Sequence, residues 1–167
     1  MANDDFDEFV RRELPALVAF VRRVADVGVE QAKDAVQDAI IKAFGEWANL
    51  THPRAWIRLV AQRIAVNEAV RSRDGVLRAV SGGHHVEVHH DPDVAVLRSE
   101  HEQLLRYLAE LPRKQRLVMA WHLDGFTNEE IADQLRISPA TVRSNLRHAR
   151  NALSSRVNPP EQRGDRL

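Results

Sequence analysis

The 167-residue chain contains no cysteine, which excludes disulfides and thiolate metal sites and suits a reducing compartment. Aromatic residues make up only 5%. No apolar run approaches the roughly 20 residues needed to span a bilayer, so membrane insertion is not expected. The acidic start (Asp4, Asp5, Asp7, Glu8) lacks the basic-then-apolar layout of a secretory signal, so a cytoplasmic location is expected. There is no net charge, with 24 basic and 24 acidic side chains, and hence no whole-chain pull toward nucleic acid. What is present is a polar globular balance: 44% apolar residues and a mean hydropathy of −0.40. The charge is also unevenly placed. Residues 51–90 and 111–150 each carry a net +3, whereas residues 1–50 carry −4 and 91–110 carry −3. Screening over about 8–10 Å makes local charge decide contact, so a neutral total can hide two anion-binding surfaces.

Almost every segment has helical periodicity. Phe6, Phe9, Val10, Leu14, Leu17, Val18 and Val21 recur at three- and four-residue spacing. Pro15 interrupts them and predicts a short first helix followed by a second. Residues 29–47 read as another helix, with Ala32, Val36, Ile40 and Phe44 on one stripe. Pro53 is placed to start a helix running to about Arg73, with Trp56, Val60 and Ile64 facing inward. Between Arg73 and Asp91 the pattern dissolves around Gly82-Gly83, which predicts a flexible linker over 74–91. Asp91-Pro92 then reads as a cap and first helical position, and that helix continues to Leu111. Another runs from Pro112 to Asp124, with Gly125 placed to close it in a left-handed conformation. The tail, 158–167, is expected to be disordered. The only strand candidate, Val86-Glu87-Val88, is too short. The expected fold is therefore all-α, with two small helical domains (1–73 and 92–157) on a tether.

The segment TNEEIADQLRISPATVRSNLRHARNAL, residues 127–153, carries the clearest chemistry. Thr127 with Glu130 forms a capping-box pattern, and Ile131, Ala132 and Leu135 supply a buried side. Ser138 caps a second helix, with Pro139 at its first position. Val142, Leu146, Ala149 and Leu153 fall within about 60° of arc on that helix, and Ala140, Ser144, Arg147 and Asn151 lie opposite. Arg143 and His148 flank the outward face. No acidic residue occurs from Ser138 to Ser155. A face that is small near its start, hydrogen-bonding and cationic is what a helix needs to enter the major groove. This is a helix-turn-helix pattern.

Taken together, the chain resembles the sigma-70 family, and within it the extracytoplasmic-function (ECF) group of small two-domain initiation factors. LPRKQRLVMAWHLDGFTNEEIADQLRISPATVRSNLRHARNAL is similar to the family's region 4. FVRRELPALVAFVRR, DAVQDAIIKAF and PRAWIRLVA follow the order of its N-terminal region. The resemblance implies partners: core RNA polymerase, through its β′ clamp and β subunits, and promoter DNA. It also implies an anti-sigma protein as a regulator by sequestration. Asp34, Gln37, Asp38 and Ile41 match the segment that docks on the β′ clamp. Independently, Asp34, Asp38 and Ile41 share one helix face. Residues 48–54 match the place where such factors capture an unstacked base of the −10 element. Asn49, Thr51, His52 and Arg54 would make contacts there, with Trp47 or Trp56 as a stacking wall. Arg63, Asn67 and Arg71 recur every four residues and would track the backbone. Here the chain departs from the common pattern, with Leu59 where Arg is usual and Arg63 where Asn is usual. In the second domain Ser138, Ala140, Thr141, Arg143, Ser144, Arg147 and His148 would contact the −35 element. Arg113, Lys114 and Arg116 suit phosphate or polymerase contacts.

Other chemistries find less support. His84, His85, Glu87, His89, His90 and Asp91 include potential metal ligands, but they lie on a predicted linker that offers no supporting outer shell. No Gly-rich loop follows a strand, and no spacing pairs a nucleophile with a base. No cofactor, no metal and no catalysis are expected. The alternatives are a free-standing helix-turn-helix regulator that needs no polymerase and, more distantly, a metal-dependent enzyme using the histidine cluster.

Overall fold

The structure is a computed structural model that describes residues 2–78 and 92–157, with side chains described over 4–72 and 100–156. Seven α-helices follow one another: α1 (Ala2–Ala25), α2 (Val29–Glu46), α3 (Pro53–Arg78), α4 (Pro92–Ala109), α5 (Arg113–Leu123), α6 (Asn128–Leu135) and α7 (Pro139–Val157). A single 3₁₀ turn, Trp47–Asn49, follows α2. Among the described residues there is no strand, and no helix is long and apolar enough to cross a membrane. The all-α expectation therefore holds.

The chain divides into two compact units, Met1–Leu105 and Arg106–Leu167. The division falls inside α4, whereas the sequence pattern places the second domain's start at 92. α3 also runs past the expected end at 73. Gly75 weakens a helix without ending it, and no proline follows until Pro92. Residues 79–91 and 158–167, which hold the rest of the expected linker, the histidine cluster and the expected tail, lie outside the described residues.

In the first unit α1, α2 and α3 pack against one another. Leu17, Phe20 and Val21 of α1 are fully buried. α1 is continuous through Pro15, so the expected break does not occur. Pro15 and Arg11 are both exposed, and the carbonyl that Pro15 leaves without an amide donor lies on the wet side of the helix. α2 contributes Ala32, Ala35, Val36, Ala39 and Ala43, none more than 1% exposed. The expected stripe is thus rotated: Ile40 is half-buried and Phe44 is exposed, its ring edge-on to Phe6 at 5.2 Å. α3 buries Ala55, Ile57, Arg58, Ala61 and Ala65, while Trp56, Val60 and Ile64 are only half-buried. Their expected inward orientation is corrected by roughly one residue's rotation, because small alanines let α3 approach its neighbours closely.

In the second unit Leu108, Val118, Ala120, Trp121, Ile131, Val142 and Ala149 are buried. Trp121 meets Phe126 edge-on at 4.8 Å. Gly125, at φ 87°, turns the chain out of α5 as its position predicts.

Candidate nucleic-acid interface

The start of α6 and the turn from α6 to α7 are built from local hydrogen bonds. The Thr127 amide donates to Glu130 Oε2 at 2.8 Å, and the Glu130 amide donates to Thr127 Oγ1 at 3.2 Å, so the capping box forms as its spacing requires. α6 ends at Arg136 in the left-handed region (φ 55°, ψ 48°), and the Ile137 amide donates back to the Ala132 carbonyl at 3.1 Å. Arg136 has a Cβ, so this turn carries a backbone cost of order 1 kcal/mol that a glycine would avoid. Ser138 Oγ then accepts the Thr141 amide at 3.1 Å and starts α7.

Val142, Leu146 and Ala149 are buried, which fixes the rotation of α7. Ser138, Ala140, Thr141, Arg143, Arg147 and His148 are exposed, and Ser144 is half-buried. Ser138 caps the start of α7, and the other six lie along the N-terminal half of the helix away from the buried Val142 and Leu146. Neither Arg143 nor Arg147 has an ion-pair partner among the described residues, so this face presents uncompensated positive charge. At α5, Arg113 and Lys114 are exposed, but half-buried Arg116 donates to the Ala109 carbonyl at 3.4 Å. His122 Nε2 lies 2.9 Å from Arg150 Nη2. Burial, and then the Arg150 charge, push the His122 pKa below its ordinary value of 6.5.

In the first unit Asp34, Gln37, Asp38 and Ile41 are all exposed on α2, Ile41 by 61%. Ile41 lies about 20° from Asp34 around the helix, on the side away from the alanine seam. The positions matched to −10 contacts fall into three places. Asn49, Thr51 and His52 are exposed along the segment joining α2 to α3, and Arg54 is exposed in the first turn of α3. Trp56, Arg63 and Asn67 line a cleft of about 530 Å³ with Lys42 and Glu46 of α2. Arg71 lies beside Asp26 and Glu68 at a second cleft of about 430 Å³. Trp47, half-buried, packs against Phe6 and Phe9 with ring centroids 4.9 and 5.0 Å away. Trp56 is half-buried like Trp47, and its place at the first cleft leaves it free of that aromatic cluster.

Residues 101–153 match the family described as Sigma-70, region 4, a span that holds α5, α6 and most of α7. Over 152 residues the chain is 30% identical to an RNA polymerase sigma-E factor of Streptomyces coelicolor, covering 87% of this chain and 81% of that one. The chain belongs to the sigma-70 family, in its ECF group. An RNA polymerase sigma-H factor of Pseudomonas aeruginosa is 29% identical over 83% of this chain and 78% of its own length. The fold of this sigma factor is also that of a solved one, RpoE from Bartonella quintana, determined with the anti-sigma factor NepR. The TM-score is 0.72 at 22% identity, covering 92% of this chain and 96% of that one.

One feature of this sigma factor escaped the sequence reading. Arg58 is fully buried; its Nη2 donates to Glu13 Oε2 at 2.9 Å and its Nη1 to the Arg54 carbonyl at 3.0 Å. The signal was available. Arg58, Ala61 and Ala65 share a helix face, as do Phe6, Phe9 and Glu13, so each apolar stripe carries one charge, and the two are of opposite sign.

Proposed function

We infer that this chain is a promoter-specificity subunit that gives core RNA polymerase its start site. α7 is the helix that reads −35 duplex DNA, through Ser138, Ala140, Thr141, Arg143, Ser144, Arg147 and His148. The exposed face of α2, with Asp34, Gln37, Asp38 and Ile41, docks on the polymerase β′ clamp. Asn49, Thr51, His52, Arg54, Trp56, Arg63, Asn67 and Arg71 engage the −10 strand as it opens. The chain supplies recognition, in the cytoplasm, and the polymerase performs the phosphodiester chemistry. Sequestration by an anti-sigma protein is the regulation that fits this family.

The observation that carries this reading is the α6–α7 pair: two capped helices, an apolar side fixed in the core, and an opposite side bearing unpaired Arg143 and Arg147 with no carboxylate. Such a face gains phosphate and base-edge contacts without first breaking internal ion pairs. Asp34, Asp38 and Ile41 share one exposed helix face, and that mix of carboxylates with an apolar contact suits a basic, partly apolar partner helix.

Run-off transcription with purified core polymerase and a genomic promoter library, with and without this chain, tests the inference. Dependence of specific transcripts on the chain is expected. Failure to bind core enzyme, together with tight operator binding by the isolated chain, would instead establish a free-standing regulator.

A further inference from the structure

Both ends of the segment joining α2 to α3 are tied to one face of α1. At the near end Trp47 packs on Phe6 and Phe9, with ring centroids 4.9 and 5.0 Å away. At the far end the Glu13 carboxylate collects Arg58 at 2.9 Å and Arg54 at 3.5 Å. Phe6, Phe9 and Glu13 stand at i, i+3 and i+7, so a single side of α1 presents an aromatic brace and an ionic one. The ionic brace is costly. Arg58 is fully buried, and a guanidinium leaves water only where its donors are matched. Its planar fork does this by bridging two elements, α1 through Glu13 and the first turn of α3 through the Arg54 carbonyl. A hydrophobic side chain could fill that space and hold the helices together. It could not fix the start of α3 against α1 in direction as well as distance.

We propose that Glu13 and Arg58 form a positioning pair, which presets residues 49–54 for capture of the −10 strand. The proposal rests on the reading of those residues as −10 contacts. Neither Glu13 nor Arg58 touches DNA in this account. Their effect reaches the strand through the placement of Thr51, His52 and Arg54, so it appears in base preference and leaves core docking on α2 and −35 reading on α7 intact.

Holoenzyme reconstituted from core polymerase and the full chain tests this on a template pool with a fixed −35 element and randomised −10 positions, followed by sequencing of the transcripts. Arg58→Met is expected to lower −10 enrichment about tenfold, since small misplacements of contact groups are amplified in this way. Core binding and dependence on the −35 element are expected to persist. The double variant Glu13→Gln, Arg58→Met leaves no buried charge unmatched and keeps the experiment informative should the single variant fold poorly. Variants that melt at lower temperature yet keep the wild-type −10 preference would overturn the proposal and reduce the pair to a structural tie. A wild-type holoenzyme that initiates with no −10 preference at all would overturn the underlying reading of residues 49–54, and this proposal with it.

Discussion

Ile41 and Ala43 are two residues apart on α2, yet Ile41 is 61% exposed and Ala43 only 1%. The large apolar side chain stands in water on the outer face while the small one fills the seam against the neighbouring helices, and that outer face is the proposed docking surface. Asp38 shares that face. Asp38→Arg is expected to weaken retention of core polymerase at least about tenfold, because reversing a charge at an interface sets like charges together. Far-ultraviolet circular dichroism should stay native, since Asp38 touches nothing in the core. Undiminished co-purification of the folded variant with core enzyme would remove Asp38 from the docking surface.

Arg147 projects from α7 opposite buried Val142 and Leu146. Arg147→Ala is expected to weaken −35 recognition by about 1–3 kcal/mol and to relax preference at one base pair, the cost of losing a guanidinium that reads a base edge. Competition between matched and single-base-substituted −35 duplexes separates this from a phosphate contact, whose loss weakens all sequences alike. Unchanged transcription from a matched promoter would contradict the assignment.

Local chemistry made the second unit legible. Gly125, Thr127 with Glu130, and Ser138 with Pro139 each fix a helix end through atoms within a few residues, so spacing alone locates them. The first unit is governed by longer relationships. Glu13 and Arg58 are 45 positions apart, and nothing local pairs them. Pro15 signals a break that the neighbouring burial of Leu17, Phe20 and Val21 overrides. Side-chain size misled as well: the eye takes Trp56, Val60 and Phe44 for core, whereas the helices meet along alanines and leave the bulkier groups at the margins.

That alanine seam gives a test of the fold. Ala39 is fully buried on α2, midway along the row from Ala32 to Ala43. Ala39→Leu should destabilise the chain by about 1–3 kcal/mol, as added methylenes force apart helices that meet closely. A conservative change toward greater hydrophobicity would thus harm the protein, whereas Phe44→Ala, at a 54%-exposed position, should cost less. Urea unfolding midpoints of the two variants, compared at equal slope, decide the order.

His122 on α5 and Arg150 on α7 form a pair whose protonation should make the second unit less stable in acid. Arg150 can only donate, so the His122 Nε2 that it faces at 2.9 Å accepts, and the neutral ring carries its proton on Nδ1. Burial and the adjacent guanidinium both disfavour a second proton, and the folded-state pKa therefore lies below 6.5. The unfolded chain then binds a proton more readily than the folded one. The stabilising contribution is complete above about pH 6.5 and is lost as the pH falls from there through the lowered folded value. His122→Gln keeps an acceptor for Arg150 and cannot titrate. Between about pH 7 and pH 5 the wild-type unfolding midpoint should decline relative to that of the Gln variant, because the other histidines are common to both proteins. Parallel profiles across that range would show that the pair plays no part in acid sensitivity.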